Sequence, residues 1–497
     1  MTTIVILGLI VSAIIYISVG FANYKKTKSV GDMMPLVEDM SAHVRSSREF
    51  SASTAATSIS LVTVIMFFFE SVAGMGPYLI WSIVTTLLGL LFVYLLINKI
   101  WNKINEYEQR PSLHDFIGLK FHNKNLTFVG AFCTSISYLA TYAVETYVGS
   151  IFLHQIMPNF PLWVLILMLT LIGFIYTLSG FRTVIITDVI QMGSIFLFCI
   201  IIIGTFVYYY TQNDISISLS KIPENIISFN YRPGLIPFLS GLFVINICMF
   251  IVSMSLFQRI AACNKSEIKS VKNGIKGSML QIGITWTIFL LGGILLYSIF
   301  TPVGGKINPL TELLKYWYNH FPYGRIILFF SVLGLFGALL STASTNLSAV
   351  TQSIYDDIIN TFRNIKLNEK IVSKNELILS RFVLFCSSAL SMLIIAFLYK
   401  MGYSITDMAF IVYGGQLSLF APVILSILIK EDTLRKIGKF SPWGVGLGML
   451  GSWSMAVFGK LIGNGDIVLL SPVASLLISF IVLLLGHVFY KAKYEKY

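Results

Sequence analysis

One acidic residue, Asp188, stands in the run Ser179-Gly180-Phe181-Arg182-Thr183-Val184-Ile185-Ile186-Thr187-Asp188-Val189-Ile190-Gln191, at the entrance to a long apolar segment. A carboxylate at the edge of a bilayer or inside it is costly and needs a partner: a cation, a proton or a basic side chain. Arg182 is the nearby basic candidate. Far downstream, Ala338, Ser341, Thr342, Ser344 and Thr345 give another apolar segment a hydroxyl-rich face. Positions 338, 341 and 342 are spaced i, i+3 and i+4, so they share one side of a helix. Hydroxyls with one carboxylate, and no His or Cys cluster, suit a hard monovalent cation such as sodium better than a transition metal.

Further polar residues lie at apolar depth. Glu70 follows Phe67-Phe68-Phe69, Glu145 ends Tyr138-Leu139-Ala140-Thr141-Tyr142-Ala143-Val144-Glu145, and Asn246 and Gln416 interrupt later segments. Carboxylates and amides can hydrogen-bond sugar hydroxyls or hold an ammonium, and each can equally serve a bond between helices. The histidines (His43, His114, His122, His154, His320, His487) are scattered, and no nucleophile or metal motif accompanies them. A membrane-embedded transferase is therefore disfavoured, as is a solute sensor, since no signalling domain is attached.

These residues are positioned by apolar helices. Of 497 residues, 56% are hydrophobic and 12% charged, against about 25% charged in soluble domains. The reading is an all-α polytopic membrane protein of one domain, 1–497, with about thirteen transmembrane helices. The spans are placed at 3–22, 52–75, 78–98, 126–155, 162–179, 186–210, 235–257, 278–299, 326–355, 379–399, 405–429, 442–459 and 467–490. Alternating the loops puts 28 of the 35 Lys and Arg on one side. The net charge of +12 thus follows the positive-inside rule rather than signalling nucleic acid, and it sets the N-terminus outside and the C-terminus in the cytoplasm. The expected location is the inner (plasma) membrane, multi-pass. The first segment has no basic residue before its apolar run and reads as a retained helix rather than a signal peptide. Cys133, Cys199, Cys248, Cys263 and Cys386 lack CxxC spacing and read as inert thiols. Loops are expected at Tyr231-Arg232-Pro233-Gly234 and Thr301-Pro302-Val303-Gly304-Gly305, a short interfacial helix within 23–51, and an amphipathic helix near 308–319.

Span 2 opens with small and hydroxyl residues, Ser51 to Ser60, and span 7 carries Gly241, Asn246, Ser253 and Ser255. Small polar residues favour close helix packing or a polar path. A first half of about 52–210 and a second of about 235–429 would each begin with a polar helix and run in opposite senses. That is the inverted-repeat pattern of transporters. The helix at 3–22 and two at 442–490 lie outside the halves.

The chain resembles the sodium/solute symporter family, whose members share the leucine-transporter fold with its five-plus-five inverted repeat. The resemblance rests on Ala55-Ala56-Thr57-Ser58-Ile59-Ser60, on Gly180 to Gln191 with its Thr187-Asp188-Val189-Ile190-Gln191, on Asn246 with Gln258-Arg259, and on Ala338 to Thr345. It covers about residues 50–430. It implies a main sodium site between spans 2 and 9, made by carbonyls of Ala56, Ile59 and Ala338 with hydroxyls of Ser341 and Thr342. It also implies a possible second sodium at Asp188, Ser341, Ser344 and Thr345. A helix carbonyl ligates an ion only where its own bond is broken, so span 2 should unwind near 56–60. Gln258-Arg259 is expected to anchor a cytoplasmic helix end. Ser60 and Thr63 match substrate-contacting hydroxyls of sialic-acid members. Those members hold the sugar acid with an arginine in span 4, where this chain has no Lys or Arg and Phe132 falls near the position. Sugar-carrying members place a tyrosine three residues after the span 7 asparagine, where this chain has Met249. The expected substrate is a small neutral or zwitterionic polar solute, sugar-like, contacted by Ser60, Thr63, Glu70, Glu145, Asn246 and Gln416. A sialic-acid or other carboxylate symporter, or a proton-coupled carrier using Asp188 or Glu145, are the alternatives. The oligomeric state is not legible.

Overall fold

The computed structural model describes residues 1–35, 43–302, 308–365, 374–401 and 404–494, and among these it is helical without a strand. The principal helices are α1 (Thr2–Tyr24), α2 (Ser47–Ser58), α3 (Phe67–Met75), α4 (Ile80–Ile104), α5 (Lys124–Ile156), α6 (Leu162–Thr177), α7 (Phe181–Gln212), α8 (Leu235–Val252), α9 (Met254–Ala261), α10 (Ile268–Ile299), α11 (Pro309–His320), α12 (Gly324–Gln352), α13 (Lys374–Met401), α14 (Ile405–Gln416), α15 (Phe420–Leu428), α16 (Ser441–Leu461) and α17 (Gly465–Tyr494). Every expected span falls on helix, with a break inside two of them, 52–75 and 235–257. Among the described residues, ten helical stretches are long and apolar enough to cross a membrane, by length and composition, which makes this a multi-pass membrane protein. The expected amphipathic helix is α11, and the turn before α8 ends on Gly234 with φ 76°. Within 23–51 the described residues hold one short helix, Val30–Met33, outside the spans. Residues 36–42, and 303–305 of the second expected loop, lie outside the described residues.

Two helices are broken. α2 stops at Ser58, and Ile59 (φ −103°, ψ 71°) and Ser60 (φ −67°, ψ 145°) leave helical geometry. A π-helical turn, Leu61–Met66, then runs on into α3. The second break, between α8 and α9, falls at Ser253 (φ −71°, ψ 108°). Both restarts are capped by serine: Ser60 Oγ accepts the Thr63 N–H at 2.8 Å and Ser253 Oγ accepts the Leu256 N–H at 3.2 Å. A short hydroxyl side chain supplies the acceptor that the first turn of a helix lacks, which at membrane depth water would not provide.

The breaks face a buried centre. α12 packs on α7 and α5, α2 on α10 and α7, and α8 on α4. From Gly334 to Gln352 every residue of α12 is buried, so its hydroxyl face meets protein rather than lipid. Gly89 of α4 allows a close crossing, since a Cβ there would lie 2.2 Å from the Asn246 carbonyl oxygen of α8. α1 rests on α12, and α16 and α17 pair with each other and cover α14 from outside.

Candidate cation and substrate site

The first break brings α2 against α12 and α7. Thr342 Oγ1 lies 3.1 Å from the Thr57 carbonyl oxygen and 3.3 Å from that of Ala338. Three neutral oxygens thus converge between α2 and α12, and Ala56 and Ile59 flank them at the helix end. The expected unwinding near 56–60 is found at 59–60. Ser341 is turned the other way, with its hydroxyl donating to Asp188 Oδ1 at 2.7 Å. The shared face expected for 338, 341 and 342 therefore splits between two neighbouring sites, because one turn of α12 is enclosed by α2 on one side and α7 on the other.

Asp188 is fully buried and its partner is Arg259, not Arg182. Arg259 Nη2 donates to Asp188 Oδ2 at 3.0 Å, and the two side chains are 1% and 0% exposed. Ser53 Oγ also donates to Oδ2, at 2.5 Å. The guanidinium spreads over the whole junction: Nε donates to Ser53 Oγ at 2.7 Å, Nη2 to Thr57 Oγ1 at 2.7 Å and Thr345 Oγ1 at 3.1 Å, and Nη1 to the Ser255 carbonyl oxygen at 2.9 Å. One planar cation so ties α2, α7, α9 and α12 together, the geometry for which arginine is suited. Arg182 instead forms a bidentate pair with Glu49, at 2.5 and 2.7 Å. The expectation that Gln258-Arg259 anchors a helix end is corrected: Arg259 is buried with Asp188, and Gln258 Nε2 donates to Gln352 Oε1 at 2.5 Å. Of the second cation set, Asp188, Ser341 and Thr345 come together, while Ser344 Oγ donates to the Ser341 carbonyl oxygen at 3.2 Å.

Beside this network lies a cavity of about 160 Å³. Its lining brings together hydroxyls (Ser60, Thr63, Thr141, Thr342), amides (Asn246, Asn346, Gln416) and rings (Phe67, Tyr138, Trp286, Phe410, Tyr413), with no acidic or basic side chain among the described residues that line it. The Asn246 amide donates to the Ser82 carbonyl oxygen at 3.2 Å and to Thr85 Oγ1 at 3.0 Å. Gln416 Nε2 donates at 3.2 Å to the Val252 carbonyl oxygen, the acceptor freed by the break at Ser253.

Of the substrate-facing residues expected from sequence, Ser60, Thr63, Asn246 and Gln416 line this cavity. Two do not. Glu145 is buried behind Ser60, whose hydroxyl donates to it. Glu70 sits apart from the cavity, where Asn308, the N-cap of α11, donates to it at 3.2 Å. The carboxylates were expected to face solute because polarity alone marks depth, not direction. Arg259, Ser53, Tyr138, Trp286 and Tyr413 escaped sequence reasoning. For Arg259 there was a signal, since it follows the Ser253 break by less than two helical turns.

No family model matches the chain, and no curated protein matches its sequence. Solved structures do match in fold. A Na+-coupled sialic acid symporter in a substrate-bound, outward-open state aligns with TM-score 0.72 at 19% identity, covering 98% of each chain. The fold is that of leucine-transporter-like secondary transporters. Mhp1, a nucleobase-cation-symport-1 family transporter closed with bromovinylhydantoin bound, aligns with TM-score 0.55 at 12% identity, over 90% of this chain and 92% of that one. The manganese transporter of Eremococcus coleocola aligns with TM-score 0.51 at 15% identity, over 90% of this chain and 95% of that one.

Proposed function

We propose that this chain is a sodium-coupled symporter of the plasma membrane that imports a small polar solute of no net charge, sugar-like in character, by alternating access. The observation that carries the reading is the uncharged cavity joined, through Thr57 and Thr342, to a cluster of oxygens. Hydroxyls, amides and rings recognise a solute with hydroxyl groups and an apolar face. The space of about 160 Å³ is close to the engineered cavity of about 150 Å³ that accepts one benzene ring, so one six-membered ring fits.

In this reading sodium is cargo. It sits between α2 and α12, on the hydroxyl of Thr342 with the carbonyls of Ala56, Ile59 and Ala338, and draws the broken helix onto α12. Its coupling to solute comes from a higher affinity in the outward-open state, since a ligand shifts an equilibrium only by such a difference. The halves at about 52–210 and 235–429 move against each other, with the two breaks at their junction. Arg259 and Asp188 close the side of the basic loops, the cytoplasmic side by the positive-inside rule. Asp188 accepts a second sodium when Arg259 withdraws.

The neighbouring sialic-acid symporter suggests an anionic sugar instead. Among the described residues the cavity is lined by no basic side chain, and Arg259 is already committed to Asp188, which favours the uncharged solute. A thermal-shift screen of purified protein against neutral sugars, polyols and sugar acids, in sodium and in potassium, tests the reading. A neutral hit that needs sodium is expected. Stabilisation by sugar acids alone, or hits indifferent to sodium, would reject it.

A further inference from the structure

We propose that Glu145 is a built-in anion that excludes carboxylate-bearing solutes from the cavity. The inference rests on the solute reading above and narrows it, because zwitterions that carry a carboxylate are excluded as well.

The argument begins at the break in span 2. The helical run Leu61–Met75 resumes after Ser60, and its first N–H groups point back at the break. Such an end carries partial positive charge and is a ready site for an anion. In transporters of this architecture a half-helix N-terminus can receive the carboxylate of the substrate. Here that place is taken by the protein. Glu145, reaching from α5, is fully buried. Ser60 Oγ donates to its Oε1, and the N–H groups of Val62 and Thr63 are turned towards the carboxylate. Its other oxygen, Oε2, makes no hydrogen bond within bonding geometry among the described residues. No basic side chain among the described residues pairs with it. The Ser60 hydroxyl at Oε1 and the positive end of the half-helix favour the carboxylate form.

Glu145 does not face the cavity, but Ser60 does. The negative charge therefore stands one hydroxyl behind the solute. It consumes the attraction that the half-helix would offer a solute carboxylate and adds like-charge repulsion in a dry setting. A neutral solute meets only the outward side of Ser60 and Thr63. Specificity here comes from a repulsive element as much as from attractive contacts.

Two readouts test this on full-length purified protein. Glu145→Ala empties the end of the half-helix. Formate should refill it and raise the melting temperature of that variant, with no rise in the wild type. Should Glu145→Ala fold only when formate is present, the result is the same. The second readout uses paired solutes, glucose with glucuronate, galactose with galacturonate, and N-acetylmannosamine with N-acetylneuraminate. The wild type should favour the neutral member by about tenfold or more, the scale of a like-charge repulsion across one hydroxyl layer. Glu145→Gln keeps shape and an acceptor for Ser60, and should bring the pair within about threefold. A wild type that prefers the acid, a ratio unchanged in Glu145→Gln, or a formate-indifferent Glu145→Ala overturns the proposal. If no pair binds in any variant, the sugar-like reading falls, and the formate result alone still decides the role of Glu145.

Discussion

Replacing Arg259 by methionine should convert Asp188 into a sodium-dependent element of stability. The pair is separated by 3.0 Å and both side chains are almost fully buried. At an effective dielectric of about 20 the attraction is ~5 kcal/mol. Removing one partner of such a pair costs about 3–5 kcal/mol, because the other charge is left buried and unpaired. In Arg259→Met, Asp188 keeps only the hydroxyls of Ser53 and Ser341. Sodium can then fill the vacancy beside Ser341 and Thr345, and at 100 times its dissociation constant it returns about 2.7 kcal/mol. Thermal melting at constant ionic strength, in sodium against potassium and choline, reads this out. Arg259→Met should melt well below the wild type in choline and recover a large part of the loss in sodium. The double variant Arg259→Met/Asp188→Asn should be close to the wild type and indifferent to sodium, since neutralising both members removes the unpaired charge. A single variant as stable as the wild type in choline, or one that recovers equally in potassium, would refute the reasoning.

Thr342→Ala removes the hydroxyl that touches both the Thr57 and Ala338 carbonyls, so the sodium concentration for half-maximal solute binding should rise by about tenfold, the worth of one hydrogen-bonding ligand. Ser341→Ala should change that value less and destabilise the Asp188 network instead; equal shifts in sodium titrations would contradict the separation of the two sites. A double-mutant cycle in thermal melting should find coupling of ~1 kcal/mol between Arg182 and Glu49, which are partly exposed, and none between Arg182 and Asp188. His43 lies outside the spans, and burial pushes its pKa from 6.5 down to about 4. Above pH 6.5 both folded and unfolded chains hold it neutral. Below that the unfolded chain takes a proton that the folded one refuses, so stability should fall from about pH 6.5 towards pH 4, by at most ~3 kcal/mol. His43→Phe should flatten the pH dependence of melting; an unchanged slope would place its origin elsewhere.

Hydropathy located the helices because the bilayer leaves few ways to satisfy a backbone. That constraint is why the expected spans fall on helix; the unwinding of span 2 was foreseen only through the family resemblance, whose implied carbonyl ligands at Ala56 and Ile59 need a broken helix. The hydroxyl-rich stretch of α12 was visible in the sequence, but the i, i+3, i+4 spacing of 338, 341 and 342 did not reveal that Ser341 turns to Asp188 and Thr342 to Thr57. Partners were not legible. Arg182, six residues away, was the basic candidate for Asp188 beside a cation, whereas the fold brings Arg259 from α9 and gives Arg182 to Glu49. Sequence separation says nothing of which helix packs opposite. Arg259 was hidden for a second reason: it borders a run of basic loop residues and looked like one of them. Glu70 and Glu145 show the same limit for direction, since a charge at membrane depth reveals its cost and not the face it occupies. The aromatic residues Trp286 and Tyr413 carried no signal against 38 Phe and 24 Tyr in the chain.

The most direct test of the central claim is uptake into liposomes holding the purified protein, under an imposed inward sodium gradient, with a labelled neutral solute found by the thermal-shift screen. The account predicts accumulation above the outside concentration that requires the gradient, collapses when a sodium ionophore is added, and weakens in Thr342→Ala. Accumulation driven by a proton gradient without sodium, or equilibration with no concentrative step, would contradict it.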